Sequence, residues 1–111
     1  MMKLIPIIAG DPNSINVEII AKAWKKRSDF KNKIFIIGNY NLIKRQLQSL
    51  NLNIALKKIN SIEKYNFKKN LFVLDVPLKF KNIFNVSAMD KSKYIFKCFE
   101  IAIKLIKEKK I

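Results

Sequence analysis

The chain contains no histidine, a single cysteine and only two glycines. Each shortage excludes something. Without imidazole and with one thiol, a zinc or other transition-metal site built by this chain alone is not expected. Cys98 cannot form an intrachain disulfide; it falls within an apolar helical pattern and reads as a small core residue of a reducing compartment, the cytoplasm. Two glycines leave no Gly-rich phosphate cradle, so Gly38-Asn39 reads as a strand-end turn. Arginine is nearly missing as well: Arg27 and Arg45 are the only two among 23 basic residues. No apolar run reaches membrane-spanning length, so no membrane partner is expected. The N-terminus superficially resembles a signal peptide, but Pro6 interrupts its short apolar stretch and Asp11 follows at once.

What is present is charge and apolar mass. The net charge is +15 and half of the 111 residues are hydrophobic, enough for one modest core. A basic chain invites a nucleic-acid reading. Against it, the basic residues are almost all lysine and dispersed, while arginine, the usual reader of bases and bidentate binder of phosphate, is nearly absent. Lys, Asn and Ile share A/T-rich codons, so genomic bias accounts for the composition. Trp24, Phe99 and the other aromatics fall at core spacing and do not alternate with arginine as a stacking platform does. Non-specific, salt-sensitive attraction to polyanions remains expected. A basic α/β module that binds RNA or another polyanion through dispersed lysines is the alternative functional reading.

Periodicity gives strands at residues 3–8, 33–37, 54–59 and 71–75, and helices from 15 or 17 to 27, over 41–50 and from 91 to the end. Asn13, Ser14 and Asn16 are all competent caps for the first helix, whose apolar side is Ile15, Ile19, Ile20, Ala23 and Trp24. The second buries Leu42, Ile43, Leu47 and Leu50. The last buries Ile95, Phe99, Ala102 and Ile106, with Cys98 and Ile103 beside them. Residues 28–32 make a polar link and 51–53 a turn. Residues 60–69 are irregular, with one helical turn at 61–64, and 76–89 form a loop. This order is that of an α/β fold: a mostly parallel sheet with helices on both faces. Residues 1–111 form one α/β segment with no internal repeat. The last helix has no Gly, Asn or Pro terminator and an apolar face to cover, which suggests the front part of a larger protein; a natural, fraying terminus is the other reading.

The most informative local feature is the turn Gly10-Asp11-Pro12, placed after the first strand and before a helix that carries Glu18. A sharp turn at the carboxyl end of a parallel strand is where α/β proteins bind ligands. Gly10 can take positive φ, Asp11 can fold its carboxylate back on the turn, and Pro12 stiffens the exit. Gly10, Asp11, Pro12 and Glu18 are therefore the candidate cleft residues. Asp11 either walls a cleft or closes an Asx-turn. Glu18 either faces that cleft or complements the helix dipole, worth roughly 0.3–1 kcal/mol. Asp75 either faces the same sheet edge or caps the loop that follows. Lys91 and Ser92, at the opening of the last helix, either attract a phosphate or make a simple turn. No catalytic residue is assigned.

These residues carry a resemblance. Ile7-Ile8-Ala9-Gly10-Asp11-Pro12, then Ile15, then Glu18-Ile19, resembles the N-terminal signature of the 4-hydroxythreonine-4-phosphate dehydrogenase family. The strand Ile34-Phe35-Ile36-Ile37-Gly38, the helix and turn from Leu42 to Leu52, the Leu71–Asp75 strand and the last helix follow in the family's order. The resemblance spans the whole chain but only the front part of the family's length. It implies an incomplete fold of the isocitrate and isopropylmalate dehydrogenase type. It also implies a cytoplasmic homodimer of pyridoxal 5'-phosphate biosynthesis that oxidises and decarboxylates 4-phosphohydroxy-threonine with NAD and a histidine-held divalent metal. The chain departs from the pattern at Asn13-Ser14-Ile15-Asn16-Val17-Glu18, where the family has Ala-Gly-Ile-Gly-Pro-Glu; Asn16 is expected to stand in for a glycine. Asn39 replaces an Asp after Gly38. With no metal-binding histidines, this polypeptide alone is expected to be inactive. A degenerate remnant without activity is a third reading. The exposed apolar helix face and an unpaired sheet edge are expected to make the chain aggregation-prone.

Overall fold

A computed structural model of the chain describes residues 4–26, 34–63, 65, 67 and 69–111. The elements are β1 (Ile5–Ile8), α1 (Asn16–Lys25), β2 (Ile34–Gly38), α2 (Tyr40–Ser49), β3 (Leu56–Ile59), β4 (Leu71–Asp75) and α3 (Ala88–Lys107). The strands form one parallel sheet in the order β1-β2-β4-β3. The α/β fold with helices on both faces is thus as expected. The expected link at 28–32 and the ends at Lys3, Arg27 and Lys33 lie outside the described residues.

Alternation along the central strands builds two cores. Phe35, Ile37, Phe72 and Leu74 point to one face, where α3 adds Tyr94, Cys98, Ala102 and Leu105. Ile34, Ile36, Leu71 and Val73 point to the other, covered by Val17, Ala21 and Trp24 of α1 and Ile43 and Leu47 of α2. The connections through α1 and α2 both run toward the β3 side of the sheet, so right-handed crossovers place both helices on one face. The central strands β2 and β4 are buried apart from Asp75, each large apolar side chain contributing about 1.5–3 kcal/mol. Residues 60–69 are not helical at Ser61, and Lys64 lies outside the described residues. The segment is held instead by aromatic contacts, with Tyr65 4.9 Å and Phe67 5.1 Å from the Phe72 ring. The edges carry the residues that discourage further pairing: Pro6 on β1, which has no N–H to offer, and Lys57-Lys58 on β3.

Two helix faces differ from the expectation. In α1 the sheet-facing residues are Val17, Ala21 and Trp24, while Ile15 and Ile19 are exposed. In α3 they are Tyr94, Cys98, Ala102 and Leu105, while Phe96, Phe99, Ile103 and Ile106 are each more than half exposed. Both helices are apolar nearly all round, so period alone did not choose a face. Close approach to the sheet did: the small residues Ala21, Cys98 and Ala102 lie inside, where the helices come nearest the strands. In α2, Leu42, Ile43 and Leu47 are buried as expected, and Leu50 is the half-buried C-cap. Asn51 takes φ 56°, and Leu52 N–H bonds Leu47 O, which is the turn expected at 51–53.

Candidate functional site

All strands being parallel, their carboxyl ends share one edge of the sheet, and β1 leaves that edge through the Gly10 turn. Ala9 N–H bonds Ile37 O at 3.1 Å, one step beyond the β1–β2 ladder. Gly10 then reverses the chain at φ +75°, a conformation glycine takes without steric cost. A Cβ there would lie 2.7 Å from Asn16 Nδ2, so the space over Gly10 is filled by the Asn16 carboxamide, which donates to Ala9 O at 3.2 Å. Asn16 does not adopt the left-handed geometry of a glycine; it is the first residue of α1.

Asp11 closes an Asx-turn. Its Oδ1 accepts from Asn13 N–H at 2.8 Å, and its carbonyl accepts from Ser14 Oγ at 2.6 Å. Its other carboxylate oxygen faces the Lys91 ammonium at 3.5 Å, with the side chains 44% and 28% exposed. Pro12 is buried, and its carbonyl accepts from Gln46 Nε2 at 2.8 Å. Glu18 bonds Lys22 one turn along its own helix at 3.2 Å. So Gly10, Asp11 and Pro12 form the elbow itself, and Glu18 belongs to a separate ion pair on α1. The expected caps of α1 do not close it: Ile15 holds the cap position without a side-chain bond, and Ser14 Oγ accepts only from Asn16 N–H.

The elbow is strapped to the loop before α3. Asn13 and Val86 bond reciprocally, Nδ2 to O at 3.0 Å and N to Oδ1 at 2.7 Å. Gln46 is completely buried in α2 and donates from Nε2 to both Pro12 O and Ile83 O. Two carbonyl acceptors fix the orientation of that amide, and among the described residues nothing donates to its Oε1. A buried unpaired oxygen costs about 1–3 kcal/mol, so the two straps have to offset it.

The neighbouring strand exit is closed. Asn39 caps α2 by accepting from Leu42 N–H at 2.9 Å, and donates to Val76 O at 2.8 Å. Its own N–H bonds the Tyr94 hydroxyl at 2.8 Å. Asp75 accepts from Tyr40 N–H at 2.8 Å; it caps α2 rather than the loop that follows it. At Gly38 a Cβ would lie 2.8 Å from Tyr94 Oη and 2.9 Å from Ala9 Cβ. Burial pushes the Tyr94 phenol far up, and a charge on Cys98 would raise it further. Burial also pushes the Cys98 thiol up to about 11, partly opposed by the Tyr94 hydroxyl. Neither group is a nucleophile at neutral pH.

The last helix begins earlier than expected, at Ala88. Ser87 caps it and bonds Asp90 in both directions, Oγ accepting from Asp90 N–H at 3.2 Å and donating to Oδ2 at 2.9 Å. Asp90 occupies the anion-favouring first turn where Lys91 and Ser92 were considered for phosphate, and Lys91 turns to Asp11. Sequence reasoning missed Asn13, Gln46 and Tyr94. Gln46 had a signal, as a lone polar residue within the buried stripe of α2; Asn13 had none beyond its cap competence.

No family model matches the sequence, and no curated protein matches it. Solved structures do match. A Salmonella typhimurium protein assigned as a 4-hydroxythreonine-4-phosphate dehydrogenase aligns with a TM-score of 0.83 and 24% identity, over 100% of this chain and 35% of that one. The 4-hydroxythreonine-4-phosphate dehydrogenase of Klebsiella pneumoniae gives 0.81 and 23% over the same shares, and that of Burkholderia phymatum 0.84 and 16%, over 100% and 34%. The chain thus spans about a third of the length of these proteins and has their fold over the part it shares with them.

Proposed function

We propose that the chain is the front part of an NAD-dependent dehydrogenase of the 4-hydroxythreonine-4-phosphate type, cytoplasmic and dimeric when whole, whose substrate is a phosphorylated hydroxy-amino acid. The observation that carries the reading is the fold likeness over all 111 residues, elbow included, to three proteins of that name. The elbow's position at the carboxyl edge of a parallel sheet supports it.

The residues present do not make up the two groups that chemistry needs. The metal of the resemblance is held by histidines, and this chain has none; among the described residues no cluster of three His, Cys, Asp or Glu could hold a metal ion. The space over Gly10, where glycines of the family pattern would open the turn, is taken by Asn16. No catalytic step is therefore routed through a metal or NAD on this polypeptide. Its own contribution is positional: Gly10 reverses the chain, Asp11 stiffens the turn and presents one carboxylate oxygen, and Asn13 and Gln46 hold the elbow against the 77–87 loop.

Two measurements test the reading. The 111-residue chain alone should not reduce NAD with 4-phosphohydroxy-threonine; turnover would overturn the assignment of the chemistry to the missing part. Substituted for the matching third of the Klebsiella pneumoniae enzyme, it should give a folded chimera that retains NAD-dependent activity. A folded chimera with no activity would overturn the dehydrogenase reading.

A further inference from the structure

Two hollows beside the 77–81 segment are lined by more lysines than carboxylates. The first, about 410 Å³, lies between that segment and the opening turns of α3. Pro77, Leu78 and Tyr94 wall it, with Lys79, Lys93 and Lys97 around it. The second, about 510 Å³, is bordered by Phe80, Lys81 and Val86. Lys79 and Asp90 line both, so the two adjoin along one groove-like stretch of surface.

Four lysines and a single carboxylate line the two hollows, and an oxygen of that Asp90 carboxylate already accepts from Ser87 Oγ. Among the described residues none of the four lysines is in an ion pair. Lys93 and Lys97 are one helical turn apart, where like charges repel and weaken the helix. Two other hollows carry less excess charge than the first. The hollow beyond β4 balances Lys104 and Lys110 with Asp75 and Glu108, and the one beside α2 has Lys44 alone.

The geometry points to a binding site in this groove for a small organic phosphate, a compound joining a doubly charged phosphate to an apolar or aromatic body. Lysine ammoniums bind phosphate as point charges, and a dianion relieves the Lys93–Lys97 repulsion that a single carboxylate would only halve. The walls of Pro77, Leu78 and Phe80 give the body an apolar surface, the usual lining of a small-ligand site. The site lies on the α3 side of the Val86 strap, not at the Gly10-Asp11-Pro12 turn, and it does not depend on the dehydrogenase reading.

Phenyl phosphate, titrated calorimetrically at low salt, is the probe. It should bind saturably, and more tightly than inorganic phosphate or phenol. The double substitution Lys93→Gln with Lys97→Gln should weaken it about tenfold, whereas Lys57→Gln with Lys58→Gln, an equal loss of charge on the β3 edge, should change it less than about twofold. Thermal melts establish that both variants fold. Equal weakening by the two pairs, absence of saturation, or inorganic phosphate binding as well as phenyl phosphate would overturn the site. So would preferential binding of mixed RNA with equal sensitivity to both pairs, which would mark diffuse attraction.

Discussion

The exits of β1 and β2 begin alike, each with a glycine at the carboxyl end of a parallel strand and a helix to follow, and they are built on opposite principles. Gly10 is required for its backbone: φ is +75°, and the only close neighbour of an added Cβ is the movable end of Asn16. Gly38 is required for its emptiness, because the side chains of Ala9, of Ile43 in α2 and of Tyr94 in α3 converge on the place a Cβ would take. The first exit carries a carboxylate with one oxygen left for a part-exposed lysine; the second ties Asn39, Tyr94 and Val76 into buried bonds and uses the half-buried Asp75 to hold Tyr40 N–H. A turn that keeps one carboxylate oxygen toward solvent, though strapped from behind by Asn13 and Gln46, can meet a ligand. A turn sealed by tertiary packing can only hold the fold.

The comparison is broken most severely at Gly38. Gly38→Ala should destabilise the chain by about 3 kcal/mol, the upper end for overpacking a well-filled site. Tyr94 Oη cannot yield without stranding the Asn39 N–H, and the Ala9 Cβ is fixed to backbone. Chemical denaturation measures this; a loss below about 1 kcal/mol would mean that the sealed exit is loose.

The sealed exit should also show in alkali. Cys98 lies against Tyr94 with its thiol pushed up to about 11 from 9.0. Because the folded value is the higher one, the native state holds its proton where the unfolded chain has lost it. The stabilisation is complete below pH 9 and is lost as pH rises toward 11, a fall on the order of 2 kcal/mol. Tyr94, raised in the same direction, adds to the fall above pH 10. Cys98→Ala should flatten the first part of the profile. A fall that survives in Cys98→Ala with its midpoint below pH 10 would contradict the argument.

The same contrast explains what could be read in advance. The strands at 34–38 and 71–75, the parallel order and the Gly10-Asp11 turn were legible because each rests on local pattern: short apolar runs, and residues whose backbone preferences act on their own neighbours. The faces of α1 and α3 were legible only in part: Trp24 and Ala102 were expected inside and are buried, whereas Ile15, Ile19, Phe99 and Ile106 were expected inside and are exposed. Both helices carry apolar residues nearly all round, and only the approach of the sheet chose Ala21, Cys98 and Ala102 over Ile19, Phe99 and Ile106. The straps of the site were hidden for another reason. Asn13 finds Val86 73 residues away, and Gln46 finds Pro12 34 residues away; no period encodes such pairs. The sealed exit was the less visible of the two because its key partner, Tyr94, comes from the far end of the chain.

The open exit should yield more gently. Gly10→Ala combines left-handed strain with a contact to Asn16 and should cost about 1–2 kcal/mol. Asn16→Ala removes that contact, so the two substitutions together should cost less than their sum by about 0.5 kcal/mol or more. Strict additivity would mean that Asn16 moves aside freely, leaving backbone strain as the whole effect.

The smallest effect belongs to the one bond that ties Asp11 to α3. The Lys91–Asp11 pair is 3.5 Å long and partly exposed on both sides, the kind of contact that solvent and salt weaken. Lys91→Ala should change stability by less than about 0.5 kcal/mol, and by less still in 0.5 M salt. The Asn13–Val86 and Gln46 straps keep the loop in place without it. A larger, salt-insensitive loss would show that Lys91 holds the elbow shut, which would make the two exits more alike than their hydrogen bonds indicate.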